Sequence, residues 1–445
     1  MNRLAPALLA TALLVTANIP SASIATSLSG VESDELETSF SLLTSEFYKR
    51  VDQQSVLDGA RTGMLGYLEK AGVKNAKLAV LHATDDPTQN ARELENEVRA
   101  TVKAYGAKLG SRDITYSAIS GLLSSVKDKY TVFLSPKEYQ ALNEDLDGGG
   151  FSGVGIQIQV DEKTKYLDVA QVIADGPADK AGLKDNDVVT AIDGKSTRGL
   201  SVEQDAKLLR GDKGTVVKLT IERDGAELAP IAVTRDTIHQ PSVISKLLDN
   251  GIGYARLTVF GSTTAAELSA ALTKLQAAGA KAYILDLRDN GGGYLNAAID
   301  VSSKFIPSGP IVSVEARGGS NTQYDAEDDA INPKPLAVLV NQYTASASEI
   351  TSGAIQDNGV GELIGEKTYG KGVVQTIHPL PDGSAVKITS ARYLTPRGRD
   401  INLVGIQPDI VTLEPKTAKF GDPTTDPQLQ SAITYLQGRI AQLNS

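Results

Sequence analysis

PLAVLVNQYTASASEITSGAIQDNG, residues 335–359, changes its periodicity halfway along. Leu336 to Val340 form an unbroken apolar run, suited to a strand covered on both faces in a parallel sheet. After a short polar turn the pattern becomes helical, with a start expected near Ser346 and a stop at Asn358-Gly359. The alternation extends outward. GIGYARLTV (251–259) reads as a strand, and AYILDL (282–287) as a second buried parallel strand. Between them TTAAELSAALTKLQAAG (263–279) reads as a helix, with Thr264 and Glu267 in a capping box and Leu268, Leu272 and Leu275 on one face. Residues 237–415 therefore predict an α/β core with right-handed crossovers.

Residues 147–236 have another character. GGGFSGVGIQIQV (148–160) contains Gly148-x-Gly150-x-x-Gly153, formally a dinucleotide-binding fingerprint. That fingerprint needs a strand before it and a helix after it. Here an acidic helix-like segment precedes, and Ile156, Ile158 and Val160 alternate behind as in a strand, so the glycines read as a turn with open backbone N–H groups. Short strands in YLDVAQVI, DVVTAIDG and VVKLTIERDG accompany one amphipathic helix, SVEQDAKLLRG (201–211), whose Val202, Ala206 and Leu209 are expected to be buried.

Residues 26–146 are mostly helical, with apolar residues three and four apart in ETSFSLLTSEFYKRV and SVLDGARTGMLGYLEKAG. The stretch 73–112 is more polar, and LENEVRATVKAYGA inside it reads as a surface helix. At the other end, residues 416–445 carry a helix with Leu429, Ile433, Leu436, Ile440 and Leu443 spaced four and three apart. Two heptads are too few for a coiled coil, so it reads as a packing or dimerising helix. Residues 1–25 combine Arg3, the apolar LAPALLATALLVTANI and Ser23-Ile24-Ala25, the pattern of a secretory signal peptide, with an uncleaved anchor as the alternative. No cysteine follows it to carry a lipid, and no later stretch is apolar enough to span a bilayer. An exported chain with no stable membrane span after cleavage is expected.

Composition narrows the chemistry. The chain has 445 residues, enough for two or three domains, and its 41% hydrophobic and 22% charged residues are those of a globular protein. A formal charge of −10 argues against a nucleic-acid partner. With no cysteine, disulfides, thiol catalysis and zinc–thiolate sites are excluded, and only three histidines are available as bases. No metal or nucleotide cofactor is implied.

Ser346 lies at a strand-to-helix junction, where its hydroxyl faces the free N–H groups of the first helical turn and developing negative charge is favoured. With Glu349 three residues on, the local pattern taken alone favours a plain helix cap. Ser348 points about 200° away around the helix and cannot share that position. No Gly-x-Ser-x-Gly elbow occurs, and nothing around His82, His239 or His378 supports a triad. Lys371, flanked by glycines in EKTYGKGVVQ (366–375), is either an exposed turn lysine or a base that burial keeps neutral. Ser–Lys pairs are a recurring variant of serine catalysis.

Together TASASEI (344–350), EKTYGKGVVQ and DLRDNGGG (286–293) resemble the C-terminal processing, or tail-specific, serine proteases. LDGARTGML and KDKYTVFLSPKEY resemble that family's N-terminal segments, while FSGVGIQI and GPADKAGLKDNDVVTAIDG resemble its PDZ domain. The resemblance covers nearly the whole chain after residue 25. It implies a multidomain α/β fold: a helical N-terminal region (26–146) with an insertion near 73–112, a PDZ domain (147–236), a crotonase/ClpP-like core (237–415) and a C-terminal helical segment (416–445). It implies Ser346 as nucleophile, Lys371 as general base and Gln375 holding the lysine amine, with the N–H groups of Gly292 and Ala347 as oxyanion hole. Residues four apart in a straight strand are separated by about 13 Å, so a bend must bring Lys371 and Gln375 together. Phe151, Ser152, Gly153, Val154, Gly155 and Ile156 match the loop that captures a C-terminal carboxylate, and Arg210, in LLRGDKG, matches a PDZ sensor arginine. The partners implied are proteins or peptides with exposed C-termini, together with a homo-oligomer or an adaptor, in the periplasm or an equivalent compartment. A non-catalytic peptide-binding scaffold of the same fold, or an esterase using the same pair, are the rival expectations.

Overall fold

The computed structural model describes residues 27–146, 151–161, 163–173, 175–238, 241–331, 333–415 and 419–443, with only the backbone of Phe151. The signal-peptide segment, Gly148, Gly150 and His239 lie outside the described residues. The chain divides into two compact units, one running to Thr44 and over Val51–Lys129, the other formed by Ser45–Arg50 and Tyr130 onward.

The first unit is helical. Helix Gln53–Lys70 begins at Asp52, whose side chain accepts the Ser55 N–H, and buries Val56, Leu57, Ala60, Met64 and Leu68. Pro87–Leu109 starts with proline after an Asp86 cap and buries Leu94, Val98 and Val102, so the polar stretch contributes a packed amphipathic helix. Ser111–Ser124 crosses Gln53–Lys70 at backbone contact. A Cβ on Gly63 would lie 2.2 Å from the Ser117 carbonyl oxygen, and one on Gly121 2.3 Å from that of Gly59, whereas Gly66 has nothing within 4 Å. Gly63→Ala and Gly121→Ala are each expected to destabilise this unit by about 1–3 kcal/mol. Gly66→Ala, in the same helix, should be neutral or stabilising by up to about 1 kcal/mol. Thermal unfolding of the three variants checks this, and equal losses at Gly63 and Gly66 would refute the close crossing.

In the second unit the central sheet has the order Val243–Leu247, Ile252–Leu257, Ala282–Asp286, Leu336–Val340, Glu362–Gly365, Ile410–Val411. The first pair is antiparallel and the rest are parallel. Helices Thr264–Ala277, Leu295–Ser303 and Ala347–Asn358 connect successive parallel strands. Leu268, Leu272, Leu285, Val301, Val338, Ile350 and Ile355 are buried together in the largest core cluster. A separate cluster joins Ile284, Ala337, Leu339 and Ile364 to Leu429, Ala432, Ile433 and Leu436 of helix Pro427–Leu443. That helix is a packing helix, and its last leucine, Leu443, is exposed rather than part of the buried stripe. A second sheet pairs Ala385–Leu394 with Val132–Leu134, Pro310–Ala316 and Val373–Pro379.

One capping expectation is corrected. Helix Thr264–Ala277 is preceded by Thr263 as N-cap, and Glu267 does not close a box on Thr264. Its Oε1 accepts the Thr263 hydroxyl and its Oε2 the N–H groups of Ser242 and Val243. Thr264 Oγ1 instead accepts the Gly261 N–H. A tertiary partner outcompetes the local one.

The remaining sheet has Ile156–Val160 at its edge, followed by Leu167–Val172, Val188–Ile192 and Val216–Arg223. Helix Val202–Leu209 opens with a capping box between Ser201 and Gln204.

Candidate active site

Strand Leu336–Val340 delivers the chain to a turn locked from below. Thr344 Oγ1 accepts the Asn341 N–H and donates to the Leu287 carbonyl, tying this turn to the end of the neighbouring strand. Ser346 then adopts φ 58 and ψ −119 before helix Ala347–Asn358 begins. That conformation costs a non-glycine residue on the order of 1–3 kcal/mol and persists only where the surroundings hold it. They do. Glu349, wholly buried, accepts the Ser346 N–H at 3.0 Å and the Lys371 N–H at 2.8 Å on Oε2. Its Oε1 takes the Gly370 N–H at 2.7 Å and the Thr368 hydroxyl at 2.6 Å. Burial pushes the Glu349 pKa up and the donors Thr368, Lys371, Gly370 and Ser346 pull it down, with a net rise above the ordinary value. The Tyr393 hydroxyl lies 2.7 Å from the Lys371 carbonyl and 3.2 Å from that of Ser346, a second brace across the same pair. Ser348 is buried and donates to the Asn290 carbonyl.

The glycine turn after Ala282–Asp286 packs directly on this junction. A Cβ on Gly292, at φ 100, would lie 2.8 Å from the Ala345 oxygen, the Ala347 nitrogen and Ser346 Cβ, so only glycine permits the approach. The Gly292 N–H donates to Asn290 Oδ1 at 2.9 Å. Asn290 is fully buried, and it also holds Leu257 through its amide and the Ala345 N–H through its carbonyl. Arg288, wholly buried, bonds Asp286 and Asp426 and lies 4.0 Å from the centre of the Phe420 ring. None of Glu349 as a brace, Asn290, Tyr393 or this ion network was legible as part of the site. Glu349 read as a cap, and Asp286, Arg288 and Asn290 entered only as letters of the DLRDNGGG motif.

Beside the Ser346 junction and the glycine turn lies a cavity of about 290 Å³. Ser346, Ala347, Gly292, Lys371 and Gln375 all line it, with Ile350, Val373, Ile377, Leu142 and Leu146 among its apolar walls. Lys371 is half-buried, its Nζ 4.9 Å from the centre of the Tyr130 ring. Opposite Val374 and Gln375 the pairing skips Ser390, so the bulge, and the bend that goes with it, lies in Ala385–Leu394. Gln375 Nε2 is buried with no hydrogen-bond partner among the described residues. His378 does not line the cavity, and its Nε2 lies 2.8 Å from Glu46 Oε2. Among the described residues no group of His, Asp and Glu could hold a metal ion.

In the β-rich part, Phe151–Gly153 pairs with Asp236–Ile238, Val154 is buried, and Gly155 at φ 77 turns the chain into the edge strand starting at Ile156. The Ser152 hydroxyl is buried without a partner among the described residues. Helix Val202–Leu209 buries Asp205 and Leu209, while Val202 is 42% exposed and Ala206 half-buried, which corrects the expected buried face. The apolar Val202–Ala206 side is left open beside the Ile156–Val160 edge strand. Arg210 caps this helix from an exposed position, whereas Arg235, 9% exposed, donates to the Leu208 and Leu209 carbonyls. Among the described residues both Asp205 oxygens are buried without partners, and burial raises its pKa. A raised folded pKa means stability that is present at low pH and lost as pH rises through it. Asp205→Asn is therefore expected to raise Tm by a few degrees at pH 7, with the gain shrinking toward pH 4. A pH-independent or absent gain would show that the carboxylate is solvated.

Residues 251–412 match Peptidase family S41 and residues 169–223 match the PDZ domain. The carboxyl-terminal-processing protease of Synechocystis sp. is 40% identical over 340 residues, which cover 75% of this chain and 79% of the relative. The carboxy-terminal processing protease CtpA of Bacillus subtilis is 38% identical over 339 residues, covering 76% and 72%. Among solved structures, a photosystem II D1 C-terminal processing protease covers 91% of this chain and 97% of its own at 29% identity, with a TM-score of 0.48.

Proposed function

This chain belongs to peptidase family S41 and is a serine-type peptidase, and on that premise we propose an exported endopeptidase that takes proteins by their C-terminal tails and cuts them with Ser346 and Lys371. The observation that carries the pair is Glu349, one buried carboxylate that accepts the N–H groups of both residues at the wall of a single cavity. In this reading the neutral Lys371 amine takes the Ser346 proton as Oγ attacks the scissile carbonyl, then passes it to the leaving amine. A water activated by the same amine releases the acyl group. Gln375 orients the amine from the far side of the bulge. The Ala347 N–H and the Gly292 N–H receive the oxyanion, the latter sharing or leaving its bond to Asn290.

Tail recognition is supported by the PDZ match and by an edge strand lying beside an open apolar helix face. A peptide added to that edge gains main-chain hydrogen bonds, and its carboxylate is held by backbone N–H groups of the Phe151–Ile156 loop. The test is mass spectrometry of a disordered polypeptide with a nonpolar C-terminus, incubated with the parent protein and with Ser346→Ala. Cleavage by the parent alone, slowed about ten-fold or more when the tail is amidated, is expected. Equal cleavage of free and amidated tails removes tail recognition. A parent that binds the free tail without cutting it favours the non-catalytic scaffold.

A further inference from the structure

Ten non-glycine residues with positive φ stand in the described backbone, and eight of them are Asn, Asp or Lys. The other two are Ser346 and Leu403, at φ 62. Leucine disfavours the left-handed region, and asparagine or glycine would occupy it more easily. Leu403 is also 82% exposed, so the position is unfavourable both in its backbone and in its solvation. Strain of this kind concentrates at functional sites.

Leu403 has neighbours of the same character. Its N–H donates to the Gly370 carbonyl at 2.8 Å, immediately before Lys371, and the Tyr369 N–H donates to the Thr344 carbonyl at 3.0 Å, two residues before Ser346. Tyr343 and Tyr369 lie on the two loops that carry the candidate nucleophile and base, and the first bond ties the Leu403–Val404 turn to the second of these loops; the four side chains are each between 47% and 82% exposed. Exposed apolar side chains gathered on neighbouring loops suit an interaction site. The cavity uses Ala347 and Ile350 after Ser346, and Val373, Gln375 and Ile377 after Lys371, whereas the patch is built from residues before each and from the Leu403–Val404 turn.

We infer that this patch binds apolar side chains of the polypeptide substrate on the leaving-group side of the scissile bond. The inference rests on the proposed function. In the proposed mechanism the acyl side takes the cavity, where Ser346 Oγ bonds the carbonyl carbon beside the N–H groups of the lining residues Gly292 and Ala347. As the C–N bond breaks, the proton taken from Ser346 goes from Lys371 to the departing amine, and the Leu403 N–H ties the patch to the Gly370 carbonyl next to that lysine. Cleavage is thus favoured where the released C-terminal fragment begins with apolar residues.

The test uses two internally quenched peptides, identical on the acyl side, with Leu-Val or Ser-Gln as the first two leaving-side residues. The parent is compared with the double variant Leu403→Asn, Val404→Thr, in which asparagine accepts the left-handed backbone and the apolar surface is gone. We expect the parent to prefer the Leu-Val peptide by about ten-fold or more in kcat/KM, since burying such a side chain is worth about a factor of ten. The double variant should cut both within about two-fold of one another, with an unchanged rate of Ser346 labelling by a fluorophosphonate. A preference that survives the double variant overturns the inference, and so does a change in sedimentation mass, which assigns the patch to a second copy of the chain. Failure of the parent's Ser346 to label at all would instead bring down the proposed function, and this inference with it.

Discussion

Lys371→Ala is expected to slow peptide cleavage by about 10²–10⁴-fold while leaving the fold intact, the loss typical of removing a general base. Lys371 lines the cavity from a loop whose backbone is fixed independently, by Glu349 at its N–H and Tyr393 at its carbonyl, so deleting the side chain removes chemistry and little scaffolding. Lys371→Arg should not rescue, because a guanidinium stays charged and cannot accept the serine proton. His378→Ala supplies the contrast: its ring meets Glu46 and does not line the cavity, and the variant is expected to keep most of the activity. Single-turnover labelling of Ser346, read beside thermal unfolding, separates the cases. Full activity in Lys371→Ala, or a loss in His378→Ala as large as in the lysine variant, would return the histidine as base.

The sheet was legible because its strands announce themselves locally. Ala282–Asp286 and Leu336–Val340 are buried at every position, so an unbroken apolar run had one sensible reading. The Ser346 and Lys371 motifs were legible through family resemblance, since each alone fitted a cap or a turn. What stayed hidden depends on partners distant in the chain. Glu349 fitted a cap at i+3, and its contacts 19 to 22 residues on leave no local pattern. Arg288 is a charged residue that hydropathy assigns to the surface, yet it is buried because Asp426, 138 residues later, meets it. Val202 shows the reverse limit. Amphipathic spacing identifies an apolar helix face but not whether the core or a ligand covers it.

Glu349 also predicts a shape for the acid limb of the activity profile. Oε1 and Oε2 each accept two donors, and a carboxylate can do this because it is acceptor-only. Protonation turns one oxygen into a donor facing N–H groups, releasing the backbone of Ser346 or Lys371 at Oε2, or of Gly370 at Oε1. Because the folded pKa is raised, chiefly by burial, that protonation falls at higher pH than for an exposed glutamate. The sign for stability is the opposite of that for activity. A raised acid pKa favours the folded state at low pH, and its contribution is lost as pH rises through it, so this group closes the site in acid without unfolding the chain. The lysine base must also be unprotonated, which makes two protons that silence the site. In the parent, the logarithm of the Ser346 labelling rate should fall with a slope approaching two at low pH, over a range where Tm is not falling. Glu349→Gln presents one acceptor oxygen and an amide to four donors, leaving buried donors unsatisfied at about 1–3 kcal/mol each. It should label slowly at every pH, on the order of a hundred-fold or more below the parent, with a slope of one. A parent slope of one throughout, or an acid loss that tracks unfolding, would mean that Glu349 stays ionised and only caps its helix.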